Sequence, residues 1–213
     1  MAPAGQAASI SPRLVTALDH AWSAIRARHP DVPEVVITIG SGSAGPRRNG
    51  LKLGHYATAR WQRGDSQLAE LFIGGEGMQL GAREMLGTLL HEAAHGVADT
   101  RQIRDTSRQD RFHNTRFREL AGELGLEVAR TGTGGWSETS VPDVTVALYR
   151  AEVRRLEAAM VAFRHAELRG RGSSNNGVAA RCDCGRRIRV SQPVLAAGPI
   201  TCGVCNTEFE VAA

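Results

Sequence analysis

The chain has 213 residues, a formal net charge of +4, 42% hydrophobic and 23% charged residues, and four cysteines. That length holds one good-sized core with room for a small satellite needing its own staple, and the ordinary composition excludes general disorder. No apolar run is long enough to cross a bilayer, and the mild basic excess favours an anionic partner such as nucleic acid without requiring one.

The opening MAPAGQAASISPR lacks the basic start, apolar stretch and cleavage site of a leader, so a cytoplasmic protein is expected. Ser11 then reads as an N-cap with Pro12 at the first helical position. Leu14, Leu18, Trp22 and Ile25 recur on one face until His29-Pro30 stops the helix. The β-branched run Val35 to Ile39 predicts a strand. The loop GSGSAG that follows, residues 40 to 45, matches a dinucleotide fingerprint. It is read as a turn, because Pro46, Arg47, Arg48, Asn49 and Gly50 continue the loop where such a site needs a helix.

LKLGHYATARW and AELFIGG predict two further strands, the second entering a helix with a broad apolar face made by Met85, Leu86, Leu89, Leu90, Ala93 and Val97. The polar stretch from Asp99 to Arg111 reads as a loop. Helical spacing restarts at Phe117, Leu120, Ala121 and Leu124, with Gly125 placed to end it. GTGGWSETSVPD reads as another loop, and Tyr149, Val153, Leu156, Met160 and Phe163 mark one long amphipathic helix. RGRGSSNNG has the composition of a flexible linker.

The central apolar helix carries HEAAH, with His91 and His95 four apart and Glu92 between them. Residues four apart on a helix differ by about 40° in direction and one turn in height, so both imidazoles can reach one ion. A carboxylate beside that ion can take a proton from the water it activates and deliver it to a leaving amine, the division of labour in metallopeptidases. Burying His and Glu in so apolar a helix would be costly without metal or hydrogen-bond partners. A catalytic zinc needs a third protein ligand. The extended metzincin pattern fails, since Ala98 and Arg101 stand where its glycine and third histidine would fall. His113, at the mouth of the next helix, is the best remaining candidate, with Glu119 and Glu123 as carboxylate alternatives. His55 on its strand is read as structural, and Trp61 and Trp136 as packing residues.

LLHEAAHGVAD, followed after a polar loop by RFHNTRFRELAGELGLEV and then by a four-cysteine tail, resembles the SprT-like (Spartan-like) zinc metallopeptidase family. The resemblance covers roughly residues 10 to 130 plus the tail. It implies His91, His95 and His113 as zinc ligands and Glu92 as the catalytic acid/base. It also implies an α+β fold: a compact zincin-like metallopeptidase domain with a small antiparallel sheet and the HExxH helix. In several members the substrate is protein bound or crosslinked to DNA. The long helix lies outside the recognised motif.

In the tail, Cys182, Cys184, Cys202 and Cys205 form two short knuckles around a strand and turn. In a cytoplasmic chain such a set reads as a structural zinc ribbon rather than disulfides, although the first knuckle has one spacer residue where two are usual. Arg171, Arg181, Arg186, Arg187 and Arg189 make this segment basic and are candidate phosphate contacts. The expected organisation is therefore a metallopeptidase domain over 10–140, a long amphipathic helix over 141–168, a linker over 169–178 and a zinc ribbon over 179–213. The expected function is a peptidase with one catalytic and one structural Zn2+, a protein substrate and DNA as partner, with no membrane involvement. A repressor-cleaving regulatory peptidase of a mobile element, or a non-enzymatic zinc-containing nucleic-acid-binding protein, would fit the same motifs. Oligomeric state is left open.

Overall fold

The computed structural model describes residues 9–43, 51–107, 112–167 and 177–211. The chain divides into two units, one ending at Glu167 and the other beginning at Leu168.

In the first unit, α1 (Ile10–Arg28) buries Leu14, Leu18, Ala21, Trp22 and Ile25, the face read from the sequence. Its N-cap is Ser9 rather than Ser11. Pro12 is tolerated there because the first-turn N–H groups have no helical partner. Strands β1 (Val35–Gly40), β2 (Gly54–Arg63) and β3 (Ser66–Gly74) form a sheet in the order β1-β3-β2. The sheet is mixed, not antiparallel as expected: β2 and β3 are antiparallel, which lays β3 parallel to β1. Gly64, at φ +57° in the two-residue connection between β2 and β3, supplies the left-handed conformation that this tight reversal needs.

A 3-10 helix, Gly75–Leu80, intervenes before α2 (Ala82–Thr100), where a direct strand-to-helix passage was expected. Glu76 in this turn is fully buried. Its carboxylate accepts hydrogen bonds from the backbone N–H of Gly42 at 2.7 Å, from the Ser43 hydroxyl at 2.6 Å and from Arg164 at 2.9 Å. The residues read as a turn rather than a dinucleotide loop thus grip a carboxylate of their own chain; residues 44 to 50 lie outside the described set. Helix α2 is the centre of the core, with twelve buried residues that include Glu92.

Past α2 come β4 (Thr106–Ser107), β5 (Phe112–His113) and α3 (Thr115–Glu123), with Gly125 in the left-handed region at φ +86°. GTGGWSETSVPD, expected to be a loop, instead carries β7 (Gly135–Ser140), which pairs antiparallel with β6 (Glu127–Thr131) in a hairpin. It completes a four-stranded sheet in the order β4-β5-β7-β6. The single long helix over 141–168 is also corrected. It is two helices, α4 (Asp143–Leu148) and α5 (Arg150–Ala159), and residues 160 to 167 are non-helical. Tyr149 at the junction is fully buried under the Arg28 guanidinium, 4.9 Å from the ring centre. Past Ala159, the backbone N–H of Arg164 bonds to the Gly75 carbonyl instead of continuing a helix.

The second unit holds β8 (Val178–Arg181), β9 (Arg187–Val190), α6 (Gln192–Ala197) and β10 (Glu210–Val211), with sheet order β10-β8-β9. The linker expected over 169–178 lies almost wholly outside the described residues, as does Arg171. Among the described residues, no helix is long and apolar enough to cross a membrane.

Candidate metal centre

Helix α2 presents His91 and His95 one turn apart, and β5 delivers His113 to the same place. The three imidazoles can each offer a nitrogen within 4.8 Å of the others. His95 Nε2 and His113 Nε2 are 3.1 Å apart, close to the edge of about 3.3 Å expected for a tetrahedral zinc with nitrogen ligands. Glu119 and Glu123 are not in this group; they lie near Arg118 and Arg101, at 4.0 and 2.7 Å.

The far side of each ring is treated differently. His95 Nδ1 donates to Asp105 Oδ2 at 2.5 Å, which turns its Nε2 towards the other imidazoles as an acceptor. His91 Nδ1 lies 3.3 Å from the Thr139 hydroxyl on β7, and His113 Nδ1 is buried without a partner among the described residues. Beneath all three sits Phe117, fully buried, with ring centres 4.7, 4.8 and 4.3 Å from those of His91, His95 and His113. Burial depresses the pKa of His91 and of His113, and the neighbouring imidazoles push both further down. These two rings are thus held neutral, the form that binds a metal.

Local structure explains how His113 arrives. Asn114 caps α3, its side-chain oxygen accepting from the N–H groups of Arg116 and Phe117, while its side-chain amide donates to the Arg104 carbonyl and its backbone N–H to that of Asp105. One residue therefore fixes both the strand that carries His113 and the loop that carries Asp105. On the other side His113 donates its N–H to the Gly134 carbonyl at 2.9 Å. Gly135, at φ +72°, lies so close that a Cβ there would meet the His113 carbonyl oxygen at 2.2 Å. Neither Asp105 nor Gly135 stood out in the sequence. The carboxylate sat in a polar loop, and the glycine in a run of small residues with no periodicity.

Glu92 faces β2 rather than joining the imidazoles. Its Oε2 accepts the Tyr56 N–H at 2.8 Å, and burial raises its pKa despite the nearby His95. Gly54 makes room for it, since a Cβ at that position would meet Glu92 Oε1 at 2.9 Å and Thr88 at 2.6 Å. His55 is half-buried on β2 opposite Phe72 and outside the histidine cluster. Trp61 donates to Glu70 at 3.0 Å, and Arg118 stacks on Trp136 at 4.6 Å.

In the second unit the four cysteine sulfurs also lie within 4.8 Å of one another, and all four are free thiols. Cys182 and Cys184 Sγ are 3.3 Å apart and Cys184 and Cys202 Sγ 3.8 Å, far beyond a disulfide bond and near the edge of about 3.8 Å expected for a tetrahedral zinc thiolate site. The short first knuckle works because Gly185 turns at φ +84° and lets Cys182 N–H reach the Arg186 carbonyl. The Cys182 thiol holds the Cys184 pKa up at about 12, while the Thr207 hydroxyl draws that of Cys205 down to about 5. A cation between them would remove that inequality.

Arg181 pairs with Arg187 across β8 and β9, and Arg189 lies two residues along on the same face. Ala180 and Val190 occupy the buried face, and Glu210 of β10 pairs with Arg181. Arg186 instead directs a guanidinium N–H to Cys202 Sγ at 3.8 Å. Both clusters have the donor chemistry to hold a metal ion. No protein-family model, curated protein or solved structure matches the chain.

Proposed function

We propose that the chain is a zinc metallopeptidase of the SprT-like class with a zincin-like catalytic unit, acting on proteins associated with or crosslinked to DNA. The observation that carries this reading is the convergence of His91, His95 and His113 from two separate elements, with Glu92 buried one position along from the first. Three imidazole nitrogens suit a zinc ion that keeps one position open, and the thiolate cluster suits a closed structural zinc. The bound ion supplies Lewis-acid chemistry, acidifying water and polarising a carbonyl oxygen.

Hydrolysis of a peptide adds water oxygen to the carbonyl carbon and breaks the C–N bond, so one proton must travel from the water to the leaving nitrogen. In this reading Glu92 carries it. Tyr56 N–H holds Oε2, leaving Oε1 to take the proton and give it up. Its raised pKa fits both halves of that task, because a strongly acidic carboxyl would release the proton to bulk water and not retain it for the amine.

The recruiting half of the reading rests on Arg181, Arg187 and Arg189. Like charges facing each other across a hairpin are unfavourable alone and become favourable against a phosphate backbone.

The test uses the purified full chain with a DNA-bound protein substrate. Cleavage of that substrate or of the chain itself is expected only when DNA is present, and Glu92→Gln is expected to abolish it with metal content unchanged. Cutting of a single partner without DNA would point to the repressor-cleaving regulator. DNA binding with every substrate left intact would point to the non-enzymatic zinc protein.

A further inference from the structure

The three imidazoles of the first unit are not equivalent, and the difference lies behind them rather than between them. His95 has a carboxylate on Nδ1, His91 has a hydroxyl at the longer distance of 3.3 Å, and His113 Nδ1 meets no partner among the described residues. A carboxylate without its proton can only accept, so it dictates which ring nitrogen of His95 carries hydrogen. A hydroxyl can donate or accept and dictates nothing.

We infer that Asp105 is the positioning residue of the metal centre, fixing His95 in the tautomer and ring orientation that present Nε2 to the ion. This rests on the metal reading proposed above. The placement is built, not incidental. Asp105 is buried, and its backbone carbonyl is held by the N–H of Asn114, the residue directly after His113. Thr106, the next residue, pairs with His113 across β4 and β5. The loop that supplies the carboxylate to one ligand is therefore stitched to the strand that supplies another, so both reach the site as one piece. His95 becomes the ligand anchored by a side chain behind it, and His113 the one positioned by its backbone bond to Gly134 and by the Phe117 ring.

The experiment compares the full chain with Asp105→Ala and Asp105→Asn. Metal-free protein is titrated with zinc against a chelator, thiolate absorption reports the cysteine cluster separately, and long-range proton–nitrogen NMR spectra read the tautomer of His95. Asp105→Ala is expected to weaken zinc at the imidazole site about 10- to 100-fold and to leave His95 in mixed tautomers. Asp105→Asn keeps the size but can donate as well as accept, so it should no longer dictate the tautomer and should fall between the two in affinity. It also serves as the near-isosteric variant should the alanine protein fail to fold. Zinc affinity and tautomer in both variants within twofold of the parent would overturn the role of Asp105 and leave the metal reading standing. Histidine signals in the parent chain that ignore zinc would overturn both.

Discussion

Phe117 shows how much one side chain carries here. It is a core residue by burial and also the floor on which all three imidazoles rest, so core and site share it. Removing the ring opens a cavity directly under the ligands. We expect Phe117→Ala to lower unfolding stability by about 3–5 kcal/mol in urea titrations. Metal affinity should fall with it, whereas Glu92→Gln should leave affinity unchanged. In the sequence Phe117 was legible only as the first member of an apolar stripe. His91, Glu92 and His95 were legible because one helical turn encodes their geometry. His113 was placed as one candidate of three, since its approach depends on the Gly134 carbonyl and on the close fit of Gly135, contacts made by residues more than twenty positions away. Local patterns carry no such information.

At the scale of elements, α1, β1, β2, β3, α2 and α3 follow from apolar periodicity, and the departures from expectation share a cause. Strand β7 falls where a loop is expected because the glycines and polar residues of GTGGWSETSVPD mask the alternation that would mark a strand. The long helix was overcalled because Tyr149, Val153 and Leu156 do lie on one face, yet the chain past Ala159 exchanges helical bonds for the tie between Arg164 and Glu76. That tie has a measurable consequence. Burial alone would raise the Glu76 pKa. The hydrogen bonds from Ser43 and Gly42, and the Arg164 guanidinium, outweigh burial and hold it down at about 2 against an ordinary 4.5. A depressed carboxyl contributes stability that is complete above 4.5 and is lost as the pH falls towards about 2, because the unfolded chain takes up the proton first. Glu76→Gln should therefore lower stability at neutral pH and flatten the acid limb over that window, as read by urea unfolding at stepped pH. An unchanged acid limb would show that the knot between the turn and residues 160 to 167 adds nothing.

On the scale of the whole molecule, the chain places two candidate metal clusters in two units, with no ligand in common and different donor atoms, imidazole nitrogen in one and thiolate sulfur in the other. The clusters should therefore respond to different insults. Thiolates climb the oxidation ladder readily when their pKa is low and they are accessible. A bound cation makes all four sulfurs thiolates and Cys184 is exposed, whereas imidazoles resist mild oxidants. Graded hydrogen peroxide is expected to release about one equivalent of zinc per chain, in step with loss of free thiols, while a second equivalent stays bound. Release of both together would mean that the units depend on each other. If the proposed division between recruitment and hydrolysis holds, oxidative stress would strip the enzyme of its address before its teeth, leaving a peptidase that still cuts but no longer knows where.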